Sequence, residues 1–257
     1  MQRTPPDQTP RPCWYAGPPF VGQLFQECVA RAGGEAPALL DPGARNTLQA
    51  VAERIASGLR ASSHPVVLVA HGLAVPAVLR AAALAPGPML AGVVLSNGPI
   101  TRLDPITRAW QRLPGARVGL HPQLFVRWLA SSAGLRRAVC NPYIMDRDTV
   151  DAICSPLVAT RADRTAVITY VRSLDPLPPF TRPAVPTMLA WGDDDPLYPL
   201  AEADAADVLL GGGHLRAIPG GRFVHPEERP WALADLVTSF CSGLSSSAST
   251  PGPARPV

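Results

Sequence analysis

Apolar residues gather in short runs separated by stretches of helical period, and their order predicts an α/β domain. Val66-Val67-Leu68-Val69 is β-branched and wholly apolar, which suits a strand buried on both faces of a parallel sheet. A helix follows almost at once. Pro76 fits a first helical turn, where its missing N–H is not needed, and Ala77 to Ala83 has strong helix propensity. Further strands are predicted at Pro12–Ala16, Ala38–Leu40, Gly92–Leu95, Pro186–Trp191 and His214–Ile218. Helices are predicted at Gln23–Arg31, at Trp231–Phe240, and where Leu48, Val51, Ile55 and Leu59 recur at helical spacing behind a cap at Asn46 or Thr47.

Residues 100–183 hold helical patches, Gln123–Ala130, Asp148–Val158 and Ala162–Leu174, but no strand pattern. They read as a helical cap inserted between the fourth and fifth strands. Strands alternating with helices predict a doubly wound, mainly parallel sheet of about six strands, with its ligand crevice beyond the strands' carboxyl ends. One α/β domain over 12–241 accounts for the pattern, with 1–11 as a disordered leader and the Ser/Pro-rich 242–257 as a disordered tail.

Charge narrows the possible partners. The 23 basic and 20 acidic residues leave +3, spread along the chain, which supports neither nucleic acid nor an anionic membrane as partner. Every basic residue is arginine, so a lysine Schiff base and the usual pyridoxal phosphate site are excluded. Five cysteines, an odd number with no pair at metal spacing, argue against a disulfide framework and favour a reducing compartment. No metal or cofactor is expected, and Gly211–Gly213 precede a strand rather than a helix, the wrong context for binding phosphate. The start of the chain lacks the apolar segment of a signal peptide, and no apolar run approaches the roughly 18 residues of a membrane span. These features give the expectation of a soluble, cytoplasmic protein whose partner is a small molecule.

The turn between the Val66 strand and its helix, Ala70-His71-Gly72-Leu73-Ala74, resembles the nucleophile elbow of the α/β-hydrolases, Gly-x-Ser-x-Gly. Gly72 stands at the centre, so the turn keeps its dihedrals and lacks the attacking oxygen. The segment Val185 to Pro199, with Trp191-Gly192-Asp193-Asp194-Asp195, is similar to that family's penultimate strand and acid loop, and Ile218-Pro219-Gly220-Gly221 to its last strand. The resemblance covers roughly Cys13 to Phe240. It implies that Asp195 stands at the acid position, where a carboxylate would orient a base; a solvated turn is the alternative.

At the base position the resemblance puts Arg222, or Phe223 after a shift of one residue. Arginine cannot act as a general base, so an ion pair between Arg222 and Asp195 is expected instead. His225, three positions on, is either a base or a residue behind the site, and His71 packs beneath family elbows. One oxyanion donor survives as the Leu73 N–H, whereas the family's His-Gly-x appears here as Ala16-Gly17-Pro18, in which proline has no N–H. Ser96, Asn97 and Tyr198 are expected to line the pocket, and Cys13 reads as inert core. Asp195 and His225 are thus the candidate catalytic pair. Three functions compete: a non-serine, non-hydrolytic enzyme acting on a small carbonyl or ester-like metabolite in specialised metabolism, a pseudoenzyme acting as a binding or partner protein, and a hydrolase that activates water. The first is preferred on the residues alone.

Overall fold

The computed structural model describes residues 9–112, 121–129, 131–141 and 145–248. Five strands, β1 (Arg11–Ala16), β2 (Val66–His71), β3 (Leu90–Ser96), β4 (Thr187–Gly192) and β5 (Leu215–Ile218), form one sheet in the order β1-β2-β3-β4-β5, every neighbour parallel. All six residues of β2 are buried, as its unbroken apolar run requires.

Helices α1 (Gln26–Ala32), α2 (Leu48–Ala61) and α3 (Val75–Leu84) join the first strands, while α9 (Leu200–Leu210), α10 (His225–Glu228) and α11 (Pro230–Ala248) complete the sheet domain. Thr47 caps α2, its hydroxyl oxygen accepting from Ala50 N at 3.3 Å, and Leu48, Val51, Ile55 and Leu59 form its buried face. Between β3 and β4 lie α4 (Pro105–Gln111), α5 (His121–Leu129), α6 (Ser132–Ala138), α7 (Arg147–Cys154) and α8 (Arg161–Arg172), with no strand among the described residues. This is the cap.

The expected strand at Ala38–Leu40 does not form, so the sheet has five strands rather than about six and the cap follows the third. Leu39 and Leu40 are buried all the same. Side chains hold the backbone a sheet neighbour would need: Leu39 O accepts from Arg54 Nη2 at 3.1 Å, and the Asn46 amide bonds both Asp41 N and Asp41 O. Only a single bridge, Cys13 to Glu35, remains beside β1. At the other end of the chain α11 continues through Ala248, past the point at which a tail was expected, and β1 begins one residue inside the expected leader. No described helix is long and apolar enough to cross a membrane.

Two buried carboxylates anchor the cap. Glu202 on α9 accepts from Ile100 N, Thr101 N, Thr101 Oγ1 and Arg102 N at 2.7 to 3.3 Å, and pairs with Arg102 Nε at 3.2 Å. Glu228 on α10 accepts from Cys140 N and Asn141 N at 2.9 to 3.0 Å. A third tie is the Tyr170 hydroxyl of α8, which donates to Leu73 O at 2.7 Å. Removing the Glu202 carboxylate strands several buried donors, so Glu202→Ala is expected to cost roughly 3 kcal/mol in denaturant unfolding, with Glu202→Gln losing less because one acceptor oxygen remains. An alanine variant as stable as the parent would contradict this account of the cap.

Candidate functional site

Three backbone segments meet beyond the carboxyl ends of β1, β2 and β3 at separations only glycine allows. Gly72 has φ +60°, the dihedral the elbow demands. A Cβ on Gly17 would lie 2.2 Å from Ala74 N and 2.4 Å from Leu73 N, and one on Gly98 would lie 2.3 Å from Gly72 O. The elbow is thus gripped by the loops after β1 and β3. Gly17 N donates to His71 O at 2.9 Å, which fixes the first of these loops to the second strand.

Over this junction the Phe223 ring closes. A Cβ placed on Gly72 would meet the ring's Cζ and Cε2 at 3.5 and 3.6 Å. Phe20, His71 and Tyr198 surround the same ring, with centroids 5.3, 5.4 and 5.8 Å away. All four side chains are buried. Edge and tilted contacts of this kind add to the burial of apolar area, so the space beside Gly72 is bounded by packed rings.

Beneath the rings runs a directed chain of hydrogen bonds. His71 Nε2 is 2.7 Å from Phe223 O and must carry the proton, since a carbonyl only accepts. His71 Nδ1 therefore accepts from Ser96 Oγ at 3.2 Å, which leaves the Ser96 oxygen to accept from His225 Nε2 at 2.9 Å. The same His225 Nε2–H is shared with Asn97 Oδ1 at 3.1 Å. His225 Nδ1 has no partner among the described residues. Burial keeps both rings neutral: it pushes the His71 pKa down to about 4 against the opposing pull of the Phe223 carbonyl, and that of His225 well below its usual value, with help from His71 and Arg229.

Asp195 joins this chain through Asn97, not directly. Asn97 Nδ2 donates to Asp195 Oδ2 at 2.8 Å, and Leu197 N donates to Asp195 Oδ1 at 2.8 Å. Asn97 also takes Gly192 N at 2.8 Å, and its φ of +30° is one asparagine tolerates better than most residues. Asp195 is 2% exposed, and burial raises its pKa to about 7, outweighing the donors that favour its anion.

The expected Arg222–Asp195 pair is not formed. Arg222 Nη2 and Nε lie 2.7 and 2.8 Å from Asp194 Oδ2, and Nη1 reaches the carbonyls of Arg136 and Val139 on the cap. Asp194 stays near solvent while Asp195 turns inward, and a guanidinium drawn after it would lose hydration that one half-satisfied carboxylate does not return. The Tyr198 hydroxyl donates to Asp104 Oδ2 at 2.7 Å, and Ser96 is fully buried within its chain of bonds. The structure thus gathers Gly17, His71, Gly72, Leu73, Ser96, Asn97, Asp195, Tyr198 and His225 and keeps Arg222 at the rim. Phe20, Asp104 and Tyr170 join them from outside the motifs legible in the sequence. Asp104 carried a local signal, since it caps α4 through Ile106 N and Thr107 N. Tyr170 had none, because its partner is 97 positions away in the chain.

No protein-family model matches the chain, and none of the curated proteins does. Among solved structures it is similar to an esterase from Thermogutta terrifontis, with a TM-score of 0.71 and 14% identity over 92% of this chain and 90% of that one. A haloalkane dehalogenase from Bradyrhizobium elkani gives 0.71 and 15% over 95% and 94%, and an α/β-hydrolase fold protein from Burkholderia ambifaria 0.69 and 21% over 90% and 91%. The chain has the α/β-hydrolase fold.

The buried imidazoles set a pH dependence. Each histidine has a native pKa below its unfolded value of 6.5, so the unfolded chain binds more protons below that pH and stability is lost as pH falls toward 4. Asp195 acts oppositely, its native carboxyl already protonating near 7 against 3.8 when unfolded, so it offsets one of the two. Between about pH 6 and 4 the pair with Asp195 leaves a net fall of roughly 1 kcal/mol per pH unit. His71→Gln, which keeps a donor and an acceptor but cannot titrate, is expected to flatten the unfolding midpoint over that range; an unchanged slope would refute the assignment.

Proposed function

We propose that this chain is a hydrolase-fold protein without serine-type acyl transfer, retained as a binding or partner protein. The observation that carries the reading is the Phe223 ring against Gly72: an apolar side chain packs where acyl transfer needs a nucleophile and a base within hydrogen-bond reach of each other. The elbow, the loop at Gly17 and the cap tie at Tyr170 preserve the architecture, and Pro18 supplies no second oxyanion donor. The reading of the residues alone ranked a non-hydrolytic enzyme first. Packed aromatic side chains around Gly72, and Asp195 and His225 occupied with internal partners, favour the binding protein over it.

One observation favours a rival. Ser96 Oγ and His225 Nε2 stand 2.9 Å apart, the separation of a nucleophile and its base. The proton order opposes that role, because His71 takes the Ser96 hydrogen and His225 donates to the oxygen. His225 Nδ1, where a carboxylate would orient a base, bonds no carboxylate among the described residues, and Asp195 reaches the ring through Asn97 on the Nε2 side. Against p-nitrophenyl acetate and butyrate, the purified protein is expected to show no turnover above buffer, and Gly72→Ser alone is expected not to create any. Turnover that disappears in Ser96→Ala or His225→Gln, with the unfolding midpoint unchanged, would overturn the reading in favour of a hydrolase built on Ser96.

A further inference from the structure

The chain's positive charge is concentrated in one part of the cap. Residues 105–145 contain Arg108, Arg112, Arg117, Arg127, Arg136 and Arg137 and no Asp or Glu, whereas outside residues 100–183 acidic residues outnumber arginines. The expectation of evenly spread charge therefore does not hold for this segment. In the α5–α6 hairpin Arg127, Arg136 and Arg137 are exposed, and their guanidinium groups meet no ion-pair or hydrogen-bond partner among the described residues. Some other cap arginines are engaged: Arg102 with Glu202, Arg147 with Asp151, Arg164 with the carbonyls of Val158 and Ala159.

We infer that the α5–α6 hairpin is a docking surface for an acidic protein partner, with Arg127, Arg136 and Arg137 meeting its carboxylates. This names the partner chemistry of the binding protein proposed above and rests on that reading. Arginine presents a planar fork that grips carboxylates in pairs, and exposed arginines without ion-pair partners attract carboxylates over about 10 Å at moderate salt. A membrane surface fits less well. Among the described side chains of α5, Val126 and Leu129 turn into the cap and Leu124, 51% exposed, faces solvent, short of the broad apolar face that interfacial helices bury in lipid.

The test uses the full chain and poly-L-glutamate as probe, followed by fluorescence anisotropy at low and high salt. Binding that weakens with salt and falls at least tenfold in the triple variant Arg127→Glu, Arg136→Glu and Arg137→Glu is expected. A second triple variant, Arg31→Glu, Arg45→Glu and Arg60→Glu, changes net charge equally on the sheet domain and is expected to bind within about twofold of the parent. Should the hairpin reversal fail to fold by circular dichroism, alanine at the same three positions takes its place, with the same direction of change. Equal losses in both variants, binding that survives the hairpin variant, or tighter capture by phosphatidylglycerol vesicles or duplex DNA than by the polymer would each overturn the assignment. Ester turnover is not the readout, so this inference and the absence of catalysis fail separately.

Discussion

The bond from His71 Nε2 to Phe223 O is the contact on which the rest of the crevice depends. It joins the strand that leads into the elbow to the loop after the last strand, two segments 152 residues apart in the chain. Because a carbonyl can only accept, this one contact sets the tautomer of His71, and the tautomer then orders every proton behind it through Ser96 to His225. A fully satisfied run of buried polar groups rigidifies its surroundings, whereas a half-satisfied one is costly. Here the bonds from Phe223 O through His71 and Ser96 are made, His225 Nδ1 is left without a partner among the described residues, and the Phe223 ring lies against Gly72.

That arrangement changes what the fold can do. In acyl transfer a histidine near this loop must be free to take a proton from a nucleophile and pass it on. Both histidines of this crevice are buried and held neutral by desolvation, and the Asp195 carboxyl approaches its partners through an asparagine, which carries hydrogen bonds but does not pass a proton as an acid or base. Meanwhile Glu202, Glu228 and Tyr170 tie the cap to the sheet domain at three points.

Much of this crevice was legible in the residues, and the gaps have physical causes. The elbow shows itself because strand, turn and helix are contiguous and small residues must flank the turn; an inward Asp195 is implied only by the resemblance of its loop, with a solvated turn as the alternative. The partner of Arg222 is not legible in sequence, because three adjacent aspartates offer the same charge and only burial separates Asp194 at the surface from Asp195 inside. The strand expected at Ala38–Leu40 had the right apolar character, yet Asn46 and Arg54, several positions later, capture the backbone groups it needed.

The sequence by itself determined the alternation of strands and helices, the all-apolar central strand, the glycine at the elbow and the helical nature of the cap, since each depends on dihedral preference and period within a few neighbouring residues. Only tertiary structure decided which aspartate pairs with Arg222, that Phe223 lies against Gly72, that Ser96 lies between two imidazoles, and that the arginines on α5 and α6 have no partner among the described residues. Those outcomes depend on desolvation and on contacts between segments far apart in the chain, neither of which leaves a local pattern to read.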